Sequence, residues 1–112
     1  MSFDPRIHKF SNNAAGKLAS ELSDAATSLS LQGGQGAAFP ELAGGEIFKI
    51  TVTDFLNNIV EIMHCTARVG DELTVERAQE GTDASEFSEG TLVQHCVTAG
   101  TLEWLQSLLE SP

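Results

Sequence analysis

The sequence predicts a mainly β protein, a small antiparallel β-sandwich or barrel with an extended N-terminal arm and a short C-terminal helix. Two alternating stretches and one tight turn predict it. Residues 46–53 place Phe48, Ile50 and Val52 on one wholly apolar strand face. Residues 59–67 alternate in the same way, and Gly70-Asp71 then offers the positive φ that a tight hairpin needs. We therefore expect residues 46–67 to pair as one hairpin and the chain to turn back at Gly70-Asp71.

The remaining β elements are shorter. Residues 18–22 alternate like a strand, although the alanine-rich stretch 14–26 also allows a helix. The alternation of Thr27, Leu29 and Leu31 predicts a further strand, and residues 91–98 predict the last one. We expect Phe39, ahead of Pro40, to be buried. Residues 14–100 form the predicted β domain.

The two ends of the chain form the other predicted units. Residues 1–13 are polar but carry Phe3, Ile7 and Phe10, so they are either a frayed terminus or an arm that docks on a neighbouring subunit. Residues 101–112 predict a short amphipathic helix, which Thr101 would cap. Such a helix must pack either on its own sheet or against other copies. Its interface candidates are Leu102, Trp104, Leu105, Leu108 and Leu109.

Charge restricts the classes of partner. The 112 residues include 6 basic and 16 acidic side chains, for a formal net charge of −10. A nucleic-acid binder needs a basic surface, so we expect no nucleic acid, and an anionic membrane surface is excluded for the same reason. We see no secretory signal and no apolar run of about 20 residues that would span a membrane.

Few residue patterns point to chemistry. His64-Cys65 and His95-Cys96 repeat a dipeptide, but neighbours on a strand face opposite ways, so each pair offers one ligand to a given site. We therefore expect buried structural residues, with a metal site or a Cys65–Cys96 disulfide as the alternatives. The glycine-rich residues 32–36 lack the Lys-Ser/Thr of a phosphate loop, and we expect a flexible connection there.

The acidic residues that follow the predicted hairpin are expected to be solvated rather than catalytic or metal-binding. They are Glu72, Glu76, Glu80, Asp83, Glu86 and Glu89. We predict no enzymatic activity, no cofactor and no metal. Residues 77–82 are expected to leave the sheet as an ordered loop, with Arg77 partly buried and hydrogen-bonded, Glu80 in the same structural loop, and Gly81 at a turn.

A resemblance covers most of residues 10–102. The sequence resembles a small β-rich module at the virion-proximal end of tailed-bacteriophage tail fibres and related appendage proteins. The shared pattern is strongest in the string Arg-Ala-Gln-Glu-Gly-Thr of residues 77–82. It also includes Thr66-Ala67-Arg68, Gly70-Asp71, Leu73-Thr74-Val75 and Thr98-Ala99-Gly100, and in the N-terminal half residues 12–15 and 25–29 and the glycine-rich loop into Phe39-Pro40.

The resemblance implies a virion structural protein, made in the host cytoplasm, that anchors a tail fibre or other appendage to the tail or baseplate. Its partners would be other virion structural proteins, and the resemblance to fibres implies a homotrimer. A capsid decoration or head-fibre base protein is the alternative. A carbohydrate-binding or hydrolytic module ranks last, because one Trp and no Tyr are a poor supply of sugar-stacking aromatics.

Overall fold

A computed structural model of the chain describes residues 7–9 and 14–95, and the fold of this part is mainly β. Its seven strands are β1 (Ile7–His8), β2 (Ala15–Lys17), β3 (Ser28–Ser30), β4 (Glu46–Asp54), β5 (Ile59–Val69), β6 (Glu72–Gln79) and β7 (Leu92–Gln94). A 3-10 helix spans Gln35–Ala38. No helix in the described ranges is long and apolar enough to cross a membrane.

The strands form one curved sheet, a half-barrel, in the order β2-β7-β4-β5-β6-β3. Neighbours along this path are antiparallel, whereas β1 pairs with β4 in parallel, outside the path. The two end strands meet at an antiparallel bridge between Leu18 and Leu31. Backbone hydrogen bonds from Ala19 to Ser30 (2.8 Å) and from Gln32 to Lys17 (2.9 Å) flank that bridge. The two ends of the sheet are therefore linked to each other at this bridge.

The long hairpins are those that the sequence predicts. Strand β4 pairs with β5 from Phe48–Cys65 to Asp54–Ile59, and β5 turns into β6 at Gly70-Asp71, where Gly70 has a φ of 61°. The core lies on the predicted face, and Phe48, Ile50 and Val52 are fully buried in it. The remaining members of the core cluster are Ala14, Leu18, Leu22, Leu29, Leu31, Phe39, Met63, Cys65, Leu73, Val75, Phe87 and Val93.

The boundary of β6 corrects one expectation. Residues 77–79 do not leave the sheet, because a register shift between the Ile62–Gln79 and His64–Glu76 pairs lets β6 continue to Gln79. This irregularity adds one residue to β6 and is a β-bulge, in which Ala78 has a φ of 55°. A second shift, between Cys65 and Ala67, adds one residue to β5. The departure from the sheet comes after Gln79, at Glu80 and Gly81.

Other elements differ in extent from the expectation. The alternation of residues 18–22 yields two isolated bridges, Leu18–Leu31 and Leu22–Phe87, after the short strand β2. Strand β7 covers Leu92–Gln94, and residues 96–98 of the predicted strand 91–98 lie outside the described ranges. Within the predicted arm, Ile7 and His8 pair with Glu46 and Ile47 of β4. The predicted helix of residues 101–112 lies outside the described residues.

Candidate functional site

The side chain of Arg77 is the centre of the most connected polar site in the described ranges. It is 9% exposed and donates five hydrogen bonds, which use all five N–H groups of its guanidinium. Two of them reach the Glu61 carboxylate on β5, at 2.8 Å from Nε and 2.9 Å from Nη2. The other three reach backbone carbonyl oxygens of Ser23, Ala26 and Ser85 at 2.6 to 2.9 Å. Arg77 thus ties two strands and two loops to one point.

Glu61 is fully buried, and its carboxylate is saturated by this network. Oε1 accepts from Arg77 and from the Ser85 backbone N–H, and Oε2 accepts from Arg77 and from the Ala78 backbone N–H. Burial by itself would raise the pKa of Glu61, but the Arg77 hydrogen bonds, the two backbone donors and the Arg77 charge outweigh it and hold the pKa below its usual range. The carboxylate is therefore charged and already fully bonded, which suits bracing rather than proton transfer.

The β-bulge in β6 is what presents this site. The left-handed φ of Ala78 tilts its N–H onto Glu61 Oε2, 2.9 Å away. Glu80 (φ 53°) and Gly81 (φ 82°) then reverse the chain, which places Gly81 at a turn. The Thr82 hydroxyl closes the segment by donating to the Gln79 carbonyl and accepting from the Ile62 N–H. The string 77–82 is thus ordered over its whole length by bonds within itself and to β5.

Glu80 has a partner of its own. Its carboxylate lies 3.2 Å from the Lys49 ammonium of β4, and both side chains are largely buried. Lys49 is next to His64 in the sheet register, and His64 is next to Glu76, whose carboxylate is 3.8 Å from His64 Nδ1. A row of ionisable side chains therefore crosses β4, β5 and β6 on the face opposite the core. Arg77 and Glu80 belong to two different clusters.

The glycine-rich residues 32–36 are an ordered segment that binds a carboxylate of the chain itself. The backbone N–H groups of Gly34 and Gly36 donate to Asp71 at 2.9 and 2.8 Å. These two bonds, with a smaller contribution from the charge of Arg68, lower the pKa of Asp71. Instead of the flexible connection that we expected, the segment is an anion-binding turn whose anion is the side chain of the β5–β6 turn.

Of the two histidine–cysteine pairs, the structure describes His64, Cys65 and His95, and it places these three apart from one another. Cys65 is a free thiol in the core, and burial raises its pKa to about 12. His64 is buried on the opposite face, and His95 is buried against Phe48, with Nδ1 2.7 Å from the Lys49 carbonyl oxygen. Within the described ranges, no three His, Cys, Asp or Glu side chains are placed to hold one metal ion. Cys96 lies outside those ranges.

The interface candidates fall almost wholly outside the part that the structure describes. For Ile7 the structure gives its backbone pairing with Glu46. The candidates that lie outside the described residues are Phe3, Phe10, Leu102, Trp104, Leu105, Leu108 and Leu109. Exposed apolar side chains occur elsewhere, at Phe55, Leu56, Val60 and Val69.

Sequence reasoning did not identify two residues that matter here. Glu61 is the carboxylate that Arg77 binds, and its position on the apolar face of the predicted strand, between Ile59 and Met63, was the signal that could have revealed it. A carboxylate on a core face needs a buried partner. Asp54, which organises the β4–β5 turn through three hydrogen bonds, was recognisable only as a turn residue.

Comparison of the chain with models of known protein families and with curated proteins finds no match.

Proposed function

We propose that this chain is a structural protein of a tailed-phage virion, which anchors a tail fibre or another appendage to the tail or baseplate by protein–protein assembly. The observation that carries the proposal concerns the string Arg-Ala-Gln-Glu-Gly-Thr, the most specific part of the resemblance. In the fold, Arg77 of this string joins β5, β6 and two loops through five hydrogen bonds. The residues that resemble the appendage module are thus those that brace the sheet.

A braced sheet suits an anchoring role. An anchor transmits load between two partners, so it needs few internal degrees of freedom, and buried, fully bonded polar groups restrict them. Three features of this chain act in that direction: the Arg77–Glu61 pair, the Asp71 contact to the glycine-rich turn, and the bridge that ties the two ends of the sheet. The net charge of −10 suits docking on a basic surface of a neighbouring protein.

The proposal is tested on particles. Antibodies raised against the recombinant chain, carrying gold, are applied to intact phage-like particles purified from a bacterium that encodes it. Label at the tail end or baseplate supports the proposal. Label over the head makes the chain a capsid decoration or head-fibre base protein, and particles free of the chain by mass spectrometry refute a virion role.

Oligomeric state is tested separately, by light scattering of the full-length chain. The proposed homotrimer predicts three times the monomer mass. A monomer across the concentration range would refute self-assembly in isolation.

A further inference from the structure

We propose that the β4–β5 hairpin tip, residues 54–58, and the groove beside it bind a short segment of a partner protein that carries alternating apolar and basic side chains. The inference rests on the proposed function, because it assumes that the natural ligand is a protein. It goes beyond that function by assigning the face that docks and the chemistry that the face recognises.

The tip carries two neighbouring bulky apolar side chains that are exposed to solvent. Phe55 is 75% exposed and its neighbour Leu56 is 97% exposed. The other described phenylalanines, Phe39, Phe48 and Phe87, are almost completely buried. Two adjacent bulky apolar side chains in water forgo the hydrophobic stabilisation that burial would supply. A partner that covers them gains this contribution.

Three hydrogen bonds to the Asp54 carboxylate order the tip. Asp54 Oδ1 accepts hydrogen bonds from the backbone N–H groups of Leu56 (3.1 Å) and Asn57 (3.2 Å), and Oδ2 accepts from the Asn57 side-chain amide (2.8 Å). Asn58 follows in the left-handed region, with a φ of 56°, which asparagine tolerates well. A preorganised tip loses little conformational entropy when a partner binds.

A groove of about 470 Å³ lies against the tip. The residues that line it include Phe55, Leu56, Thr91, Glu89 and Lys17. The volume is within the range of about 300–1,000 Å³ that is usual for ligand sites, and a few residues of an extended peptide would fill it. The apolar side chains of such a peptide would contact Phe55 and Leu56, and its polar backbone would face the turn at residues 88–91.

The charge of the groove and of the whole chain favours a partner segment of positive charge. Two carboxylates, Asp54 and Glu89, and one ammonium, Lys17, line the groove. The chain as a whole carries −10, so a second copy would bring like charge to this surface. Like charges across an interface are unfavourable, whereas a cationic segment is attracted to the groove and to the chain. The occupant is therefore a basic, apolar segment rather than another copy of this protein.

The test uses the full-length, isotope-labelled chain and two synthetic hexapeptides, one alternating lysine and leucine and the other alternating glutamate and leucine. Nuclear magnetic resonance follows the backbone amides during titration. We expect the lysine peptide to shift the amides of residues 55–57 and 89–91 and the glutamate peptide to leave them unchanged. Shifts elsewhere only, or equal shifts with both peptides, would overturn the proposal.

Substitutions at the tip and in the groove test which side chains contribute to peptide binding. Phe55→Ser with Leu56→Ser removes both anchors and is expected to weaken lysine-peptide binding at least about tenfold. Glu89→Gln removes one exposed charge and is expected to weaken it by about two- to fivefold. Val69→Ser is the matched control, because Val69 is an exposed apolar residue at the far end of β5, and it is expected to leave binding unchanged. Equal affinity of the double variant and the wild type would refute the tip as the site.

Particle incorporation separates this inference from the proposed function. If the wild-type chain enters particles and the Phe55→Ser, Leu56→Ser variant does not, the tip docks on the virion. If both enter equally, the docking inference fails while the virion role stands. If neither enters although the lysine peptide binds at the tip, the virion role fails and the peptide site stands.

Discussion

The guanidinium of Arg77 donates two hydrogen bonds to the carboxylate of Glu61, from Nε and Nη2, and both N···O distances are below 3.0 Å. The Glu61 side chain is fully buried. Paired contacts of this kind are the strongest that the two groups make. The cost of burying both charges is offset only while every donor and acceptor stays bonded, which makes the pair sensitive to the loss of either partner.

Replacing Arg77 by alanine would leave Glu61 as an unpaired buried charge. We expect Arg77→Ala to lower the free energy of unfolding by about 3–5 kcal/mol, as measured by chemical denaturation. Lys9→Ala is the control, because the Lys9–Glu46 pair is long (3.8 Å) and partly exposed and should contribute less than about 1 kcal/mol. Similar losses in the two variants would show that the Arg77 network does not brace the sheet.

Stability should fall in acid because folding lowers the pKa values of Glu61 and Asp71. A group with a lowered folded-state pKa contributes stability above its unfolded-state pKa, about 4, and loses it as the pH drops through the folded-state value. Denaturation at a series of pH values from 7 downward should show the decline beginning near pH 5. Asp71→Asn should reduce the slope of the unfolding free energy against pH in acid, by an amount that corresponds to at most about one proton. A slope equal to that of the wild type would contradict the assignment.

Gly36 lies too close to the β5–β6 turn to accept a side chain. A Cβ on Gly36 would lie 2.1 Å from the Gly70 carbonyl oxygen and 2.8 Å from the Asp71 Cα. We expect Gly36→Ala to destabilise the protein by about 1–3 kcal/mol or more, because backbone must move. Gly33→Ala, where a Cβ meets nothing within 4 Å, should change the melting temperature little. Equal melting of both variants would argue against this close approach.

Truncation of Phe87 should cost much more stability than truncation of Phe55. Phe87 is buried in the core and pairs with Leu22 through two backbone hydrogen bonds. Phe87→Ala should cost about 3–5 kcal/mol of stability, since it removes a filled core volume. Phe55→Ala, which changes an exposed side chain, should lower the free energy of unfolding by only a small fraction of that loss. Chemical denaturation of the two variants measures both values. A large loss in Phe55→Ala would mean that the tip is needed for folding.

The Cys65 thiol should be inert in the folded protein. Burial raises its pKa to about 12, so the reactive thiolate is scarce near neutral pH. In a Cys96→Ser background, we expect a disulfide reagent such as dithionitrobenzoate to label Cys65 only at the rate of unfolding, and rapidly in denaturant. Fast labelling under native conditions would contradict the buried position.

The amino-acid sequence by itself determined the two long hairpins and the face of β4 that packs in the core. Strand alternation is a local property, so Phe48, Ile50 and Val52 had to share a face wherever the strand came to lie. The turn at Gly70 was also predictable, because a tight hairpin needs a residue with a positive φ and the glycine that supplies it is visible in the local sequence.

Tertiary structure alone decided which polar groups meet. Arg77 was expected to be hydrogen-bonded, but its partner carboxylate belongs to Glu61, sixteen residues earlier in the chain. The two side chains meet beside a β-bulge that shifts the register of β5 and β6. The glycine-rich turn became ordered because the chain brings Asp71 to it, and the ends of the sheet meet at Leu18 and Leu31 because the sheet curls. Such contacts depend on strand order and on bulges, which alternation within a single strand does not encode.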